Sequence, residues 1–515
     1  MKWKNKLPQN FDTKVLTINH IGSKGEGVSY LYTEFDYKEK EHHFFIPFSL
    51  PNEIIVAKPT HFSSEGIRAE IIEIQELSSD RVDPKCKHFF KCGGCTLQHW
   101  NFENYKSWKF HKVSYPILKL SSNTNVKPII TSSLNSRRHA KFIAKKTKTT
   151  TIIGFNEYRT NFITKINECI ILDEQLLKLI NNIEKPLNKL MQIGETIHIH
   201  ANLLDNGIDL LIDGLKKIPF NKFTELNETL LQNNVIRFNR KSNNKIIELL
   251  FITEKTSLSN KLFFSTVYPT PGGFLQATFE GENAIINNTI NALENINKSR
   301  LICELFSGCG TITIPLLLKN FKIHAFEINN ETLEAINIAA KKHGLVNNVV
   351  TENRNLKTTP LSLEELTKYD AIIIDPPRSG ARLQFSNIAK SKVPIVVSIS
   401  CNINTFIRDS KLLIKNNYEL KWVQPIDQFL FSSHVEIVGL FEISRVNWML
   451  IKRSLTINKH RTSLSLESEF WEAIKIISKI KNCSIESLIT RIDLNRKTSL
   501  ASSTRVFILQ FFRKN

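Results

Sequence analysis

From residue 300 onward the chain repeats one grammar, and that grammar limits its fold more than any other feature does. An apolar segment over 300–305 runs into the turn Ser307-Gly308-Cys309-Gly310, and a helical pattern follows. A second strand is predicted over 322–326, a helix over 331–343 and a short strand near Val349. Further apolar strands are predicted at Ala371–Ile374 and 394–398. Strands that alternate with helices predict a parallel, doubly wound α/β sheet. Such sheets take their ligands at the carboxyl ends of the strands, so the residues just past each strand are the candidates for chemistry.

Those residues are informative. The turn in Glu304-Leu-Phe-Ser-Gly308-Cys-Gly310-Thr311 lets backbone approach a ligand at a helix N-terminus. Glu327 ends the next strand 17 residues after Gly310, where a carboxylate can bind ribose hydroxyls. The third glycine of the dinucleotide pattern is missing, since the sequence runs G-C-G-T-I-T. This points to a nucleoside ligand such as S-adenosylmethionine. After the next strand, the two prolines of Asp375-Pro376-Pro377-Arg378-Ser-Gly380 freeze the backbone. Cys401 ends a further buried strand, and His434-Val435-Glu436 follows. A thiol and a carboxylate at one sheet edge fit methyl transfer to uracil C5. That carbon becomes nucleophilic only after a thiolate adds at C6, and a base must then remove the C5 proton.

The chain has 515 residues, room for three to four domains. Residues 1–78 hold short strands between Gly, Pro and Ser turns, which predicts a small antiparallel barrel. Cys86, Cys92 and Cys95 then bunch around Gly93-Gly94, with Cys169 the nearest further thiol. Four thiolates suit zinc or an iron–sulfur cluster, but three ligands from one loop depart from the paired knuckles usual for zinc. The formal net charge is +20, from 69 Lys+Arg against 49 Asp+Glu, which favours a polyanionic partner. The run Arg137-Arg138-His-Ala-Lys141 with Lys145-Lys146 either grips phosphates or is a solvated basic edge. At 41% hydrophobic residues the chain is not largely disordered. No apolar run reaches the roughly 18 residues of a membrane span, and no secretory leader is recognisable, so a soluble cytoplasmic protein without membrane contact is expected.

Taken in order, C-x5-C-G-G-C-x2-Q-H (Cys86 to His99), F-L-Q (Phe274 to Gln276), ELFSGCGT, IDPPRSGA, SCN with T-F-I-R-D, and P-I-D-Q-F…H-V-E resemble the RNA 5-methyluridine methyltransferase family over about residues 10–445. The resemblance implies a multidomain α/β chain. Its parts are a TRAM-like (OB-like) RNA-binding β-barrel over 1–78, an α+β central domain with an iron–sulfur cluster over 79–262, and a class I Rossmann-like methyltransferase domain over 263–449. It implies Cys86, Cys92, Cys95 and Cys169 as ligands of a [4Fe-4S] cluster. Gln276, Phe306, Thr311, Glu327, Asn355 and Asp375 fall where the family contacts S-adenosylmethionine, Cys401 where it has its nucleophile, and Glu436 where it has its base. The four-cysteine set belongs to the family's ribosomal-RNA branch and so favours large-subunit ribosomal RNA, whose target uridine would be flipped out to reach Cys401. Glu304, Ser307, Thr278 and Asn52 depart from the family's usual Asp, Cys, Asn and Gly. Thr278 bears on how substrate or cofactor is positioned.

Residues 453–515 extend past that resemblance. Leu464 and Leu466 alternate with serines in a short strand, and two helices carry Phe470, Ile474 and Ile477, then Leu488 and Ile492. This resembles a ribbon-helix-helix domain, which implies DNA contact or homodimerisation through a paired strand. A nucleic-acid-binding regulator with a degenerate methyltransferase body is the alternative function. The intact Asp375, Cys401 and Glu436 set speaks against it.

Overall fold

In the computed structural model the alternating segments join one nine-stranded sheet. Val349–Asn353, Lys322–Glu327, Leu301–Leu305, Ala371–Ile374 and Ile395–Ser400 lie side by side in that order, all parallel. Glu436–Ile443 then pairs antiparallel with both Ile395–Ser400 and Tyr418–Asp427. Ser400 is paired with Ile437, so the start of the reversed strand meets the carboxyl ends of the parallel ones. The fifth strand runs further than the expected 394–398, which brings Cys401 to its tip. The described residues are 12–35, 38–216, 218–242, 246–254, 256–294, 301–444, 451–457, 460–496 and 498–514; Arg300 and the expected boundary at 449 lie outside them.

Both faces of this sheet are covered, as near-continuous apolar strands such as Ala-Ile-Ile-Ile over Ala371–Ile374 require. One face packs Ile373, Val397 and Val438 against helices Phe279–Ala292, Thr313–Leu318 and Asn330–Lys342. The other packs Ile372, Val396 and Ile437 against helices Arg382–Ser391, Ile403–Ile414 and Phe102–Leu120. The last helix comes from far upstream in the chain. Its N-cap Asn101 accepts the Glu103 N–H at 3.0 Å, and Val113 and Ile117 supply its buried face. Strands Asn125–Val126 and Ile130–Thr131 extend the same sheet beside Tyr418–Asp427. Residues 79–262 therefore contribute to two layers of the molecule.

A seven-stranded sheet takes up most of the rest of that stretch, from Ile163–Lys165 at one edge to Ile247–Ile252 at the other. Helices Glu174–Leu190 and Phe220–Gln232 close its core. Upstream is a six-stranded sheet over Lys14–Glu76. Its strands Lys38–Ile46 and Gly66–Glu76 pair in parallel, so the sheet is not the wholly antiparallel set that the spacing predicts. Asn52 takes φ +68 in the turn before Glu53, a conformation that asparagine accepts.

Residues 1–443 form one compact unit and 444–515 a second. In the second, strand Ile451–Ile457 pairs antiparallel with His460–Leu466 within the same chain, where the sequence predicts one strand. Leu455, Ile457, Leu464 and Leu466 turn inward onto Trp471, Ile474 and Ile489, and helix Leu500–Lys514 completes the core through Ile508. No helix among the described residues is long and apolar enough to cross a membrane.

Candidate active site

Phe306, Glu327, Asp375 and Cys401 each follow or end a parallel strand, and Glu436 opens the reversed one. The topology thus delivers five of the eight expected cofactor and catalytic residues to one edge. Phe306 takes φ +64 and hands its N–H to the Phe326 carbonyl at 3.0 Å, which turns the chain sharply out of the strand. Thr311 stays in the same turn, half-buried. Gly310 is needed for packing, because a Cβ there would sit 2.9 Å from Ile336. A Cβ on Gly308 would meet nothing within 4 Å, so the turn borders open space that a ligand can enter. The Glu327 carboxylate accepts the Gly308 N–H at 3.2 Å and the Ile328 N–H at 2.8 Å, which fixes it on the rim of that space. Asn355 lies just past the neighbouring strand, where Arg354 N–H reaches the Glu327 carbonyl at 2.9 Å.

Asp375, Cys401 and Glu436 interact electrostatically. Burial, with the Glu436 and Asp375 charges beside it, pushes the Cys401 thiol up to about 11. Burial raises both carboxyls as well, and Asp375 adds to the rise at Glu436. Like charges that share a low-dielectric site hold protons more tightly, so this edge can store and return a proton near neutrality. Glu304 lies behind, buried and bonded by the Thr313 hydroxyl at 2.7 Å, and it is raised to about 8 by burial. An acidic side chain longer than the usual Asp is thus satisfied.

The proline loop is held by the helix that follows Cys401. Asn402 Nδ2 donates to the Arg378 carbonyl at 3.3 Å, Arg408 to the Ser379 carbonyl at 3.1 Å, and the Ala381 N–H to Asp409 at 3.2 Å. Gly380, at φ +71, leaves no room for a Cβ against Arg408 and Asp409. The S-C-N and T-F-I-R-D motifs are therefore the fastening of the Asp375 loop.

Gln276 is buried and reaches this edge through a residue for which the sequence offers no role. Gln428 Nε2 donates to Gln276 Oε1 at 2.7 Å and to Glu436 Oε2 at 3.1 Å, while its Oε1 accepts the Ala277 N–H at 3.0 Å. The only signal was its place in the P-I-D-Q-F motif. Thr278, a departure from the family pattern, caps helix Phe279–Ala292 through the Gly281 N–H at 3.0 Å and bonds Ser132 Oγ at 2.6 Å. It anchors the Gln276 segment well.

Two members of the basic run need correction. Arg138 is buried, ion-paired with Glu282 at 2.7 Å, and Lys146 donates to the Asn188 carbonyl at 2.9 Å. Neither is a free phosphate ligand. Lys141 and Lys145 remain exposed.

Cys86, Cys92, Cys95 and Cys169 line one small cavity with Gln98 and Ile166. The Lys87 N–H bonds Glu168 at 2.8 Å, and His88 bonds Asn167 at 2.6 Å, which brings Cys169 to the loop of the other three. Burial pushes Cys92 up to about 11 and Cys95 up to about 12, and the neighbouring thiols add to the rise. Among the described residues no three His, Cys, Asp or Glu side chains converge closely enough to hold a single metal ion.

A doubly wound sheet with a glycine turn, an acidic residue at the next strand end and a reversed last strand defines a class, the α/β methyltransferases that use S-adenosylmethionine. The profile of the tRNA (Uracil-5-)-methyltransferase family matches residues 212–444, and that of the ribbon-helix-helix domain matches 450–512. A Brucella melitensis protein named as an RNA methyltransferase is 31% identical over 84% of this chain and 99% of its own length. The 23S rRNA (uracil(1939)-C(5))-methyltransferase of Shewanella woodyi is 29% identical over 78% of this chain and 91% of its own. The crystal structure of the Pyrococcus abyssi tRNA (uracil-54, C5)-methyltransferase with S-adenosyl-L-homocysteine shares the fold. Its TM-score is 0.64 at 19% identity, over 83% of this chain and 99% of that one. The chain belongs to the family of S-adenosylmethionine-dependent RNA uracil-C5 methyltransferases.

Proposed function

We propose that this protein methylates C5 of a uridine in large-subunit ribosomal RNA, with Cys401 as nucleophile and Glu436 as base. The observation that carries the reading is the gathering of Asp375, Cys401 and Glu436 at one sheet edge beside the open glycine turn. The Shewanella relative supports the ribosomal substrate. Gln276, Phe306, Thr311, Glu327, Asn355 and Asp375 would hold S-adenosylmethionine, which supplies an electrophilic methyl group when bound. The Cys401 sulfur adds to C6 of the uracil ring and its proton passes to a neighbouring carboxylate. The C5=C6 electron pair moves into an enolate, whose C5 would take the methyl group as the sulfonium S–CH3 bond breaks and S-adenosylhomocysteine is left. Glu436 then removes the C5 proton, the C5=C6 bond reforms, and the C6–S bond breaks to return the thiolate. The RNA captured by a Glu436→Gln variant identifies the substrate. A uridine of large-subunit ribosomal RNA is expected, and capture of transfer RNA alone would reject that choice.

Under this reading the chain divides into a TRAM-like barrel over 1–78, a cluster-bearing domain over 79–262, the methyltransferase domain over 263–449 and the tail over 453–515. Cys86, Cys92, Cys95 and Cys169 would hold a [4Fe-4S] cluster. The four thiols line one small cavity, which supports a shared ligand, and soft thiolates suit an iron–sulfur cluster. A cytoplasmic setting fits this reading, because thiolate ligands persist where thiols are kept reduced. Anaerobically purified protein is expected to be brown and to carry iron with acid-labile sulfide, and zinc alone would overturn the assignment.

The tail reads best as a surface for duplex DNA. Lys452, Ser454 and Thr456 pair with Ser465, Ser463 and Arg461 on the outer face of its hairpin, without an acidic residue among them. A two-stranded ribbon fits a major groove. The ribbon is complete within one chain, which supports DNA contact over dimerisation through that strand. In gel shifts, a Lys452→Ala/Arg461→Ala variant of the full chain is expected to bind duplex DNA on the order of tenfold more weakly. Equal binding by parent and variant would reject this surface.

A further inference from the structure

Asp427 ends its strand fully buried, and three donors converge on its carboxylate. The Tyr105 hydroxyl donates to Oδ2 at 2.6 Å; the Phe429 N–H, at 3.2 Å, and the Lys109 ammonium both donate to Oδ1. Lys109 also donates to the Phe429 carbonyl at 3.0 Å, and the Phe431 N–H donates to the Tyr105 hydroxyl at 2.7 Å. From the other side, Thr96 and Leu97 N–H groups reach the Phe431 carbonyl at 2.8 and 3.1 Å. Helix Phe102–Leu120 and the cysteine loop therefore pin residues 427–431. A buried Lys–Asp pair contributes little net stability, because desolvation offsets the attraction; its larger effect is on geometry.

That geometry fixes Gln428. Its amide can take one orientation only, since Nε2 faces two acceptors and Oε1 faces the Ala277 N–H. We propose that Gln428 is a positioning residue for Glu436, aiming the carboxylate at the reacting carbon, and that the Tyr105–Lys109–Asp427 cluster holds Gln428 in place. The proposal rests on Glu436 acting as the base. The charged groups around Glu436 are Asp375 and the Cys401 thiol, with Arg378 beyond them and the Arg138–Glu282 pair behind Gln276. His434, two residues earlier, faces Arg378, Lys112, Lys109 and Arg137. Asp375 opposes ionisation of Glu436, and the Gln428 amide is the donor that favours it.

Gln428→Met keeps the bulk and removes both the donor to Glu436 and the acceptor of the Ala277 N–H. In the full-length protein, the acid limb of the pH profile for adduct breakdown, measured in single turnover, is expected to move up by about one unit. Below the limb this is a loss of about tenfold. KM for RNA should stay at the parental value while the melting temperature falls by a few degrees, because the Ala277 N–H loses its acceptor; a moved limb at unchanged KM separates positioning from a structural defect. Tyr105→Phe removes one bond to Asp427 and should move the limb the same way by less. The double variant should go no further than Gln428→Met, because both act on one carboxylate. A Gln428→Met limb at the parental pH overturns the proposal, as does strict additivity of the two substitutions. Glu436→Gln, measured beside them, separates the readings. If it traps RNA while Gln428→Met keeps the parental profile, only the positioning role fails; if it turns over at the parental rate, the base assignment itself fails.

Discussion

Cys401→Ala is expected to lower methyl transfer into RNA by about 10⁴-fold or more, measured as labelled methyl from S-adenosylmethionine retained in RNA. Uracil C5 is too weak a nucleophile to take a methyl group unless C6 has first been attacked, so there is no slower route through the same site. The half-buried side chain adds little to the core, and the melting temperature should stay close to that of the parent. The thiol is pushed up to about 11, so at neutral pH nearly all of it is protonated. The rate of adduct formation should therefore rise with pH across the neutral range. Turnover above a tenth of the parental rate in the alanine variant would reject the nucleophile.

Glu436→Gln is expected to act on the opposite half of the reaction. The sulfur still adds and C5 still receives its methyl group, but the C5 proton has no acceptor at that position. Turnover should fall by about 10²–10⁴-fold, while RNA becomes linked to the protein and stays linked in a denaturing gel. Glutamine has nearly the same shape and can still accept from Gln428 Nε2, so the surrounding network should persist. Release of product at the parental rate, or loss of turnover without any linked RNA, would contradict the role. Cys401→Ala/Glu436→Gln should form no link, which ties the trapped bond to that sulfur.

Much of this edge was readable in the sequence because its parts are local. Strand, turn and next residue are contiguous at Leu305–Phe306, Ile374–Asp375 and Ser400–Cys401, so apolar periodicity and the position of a strand end suffice. Other parts were hidden by distance along the chain. Lys109 and Asp427 are 318 residues apart, and neither stands out in its own neighbourhood. Arg138 looked like part of a basic surface because its partner Glu282 is 144 residues away. Gln428 is an ordinary polar residue until its three partners are in view. The strand Ile451–Ile457 is hard to read in the sequence for a different reason: Lys452, Arg453 and Ser454 interrupt the apolar alternation until Leu455 and Ile457.

A hairpin completed inside one molecule changes what the last seventy residues need in order to fold. An obligate pair of subunits acquires its structure by a second-order process and loses it on dilution. Here both strands arrive on the same polypeptide, so closing the ribbon is itself an intramolecular, first-order step.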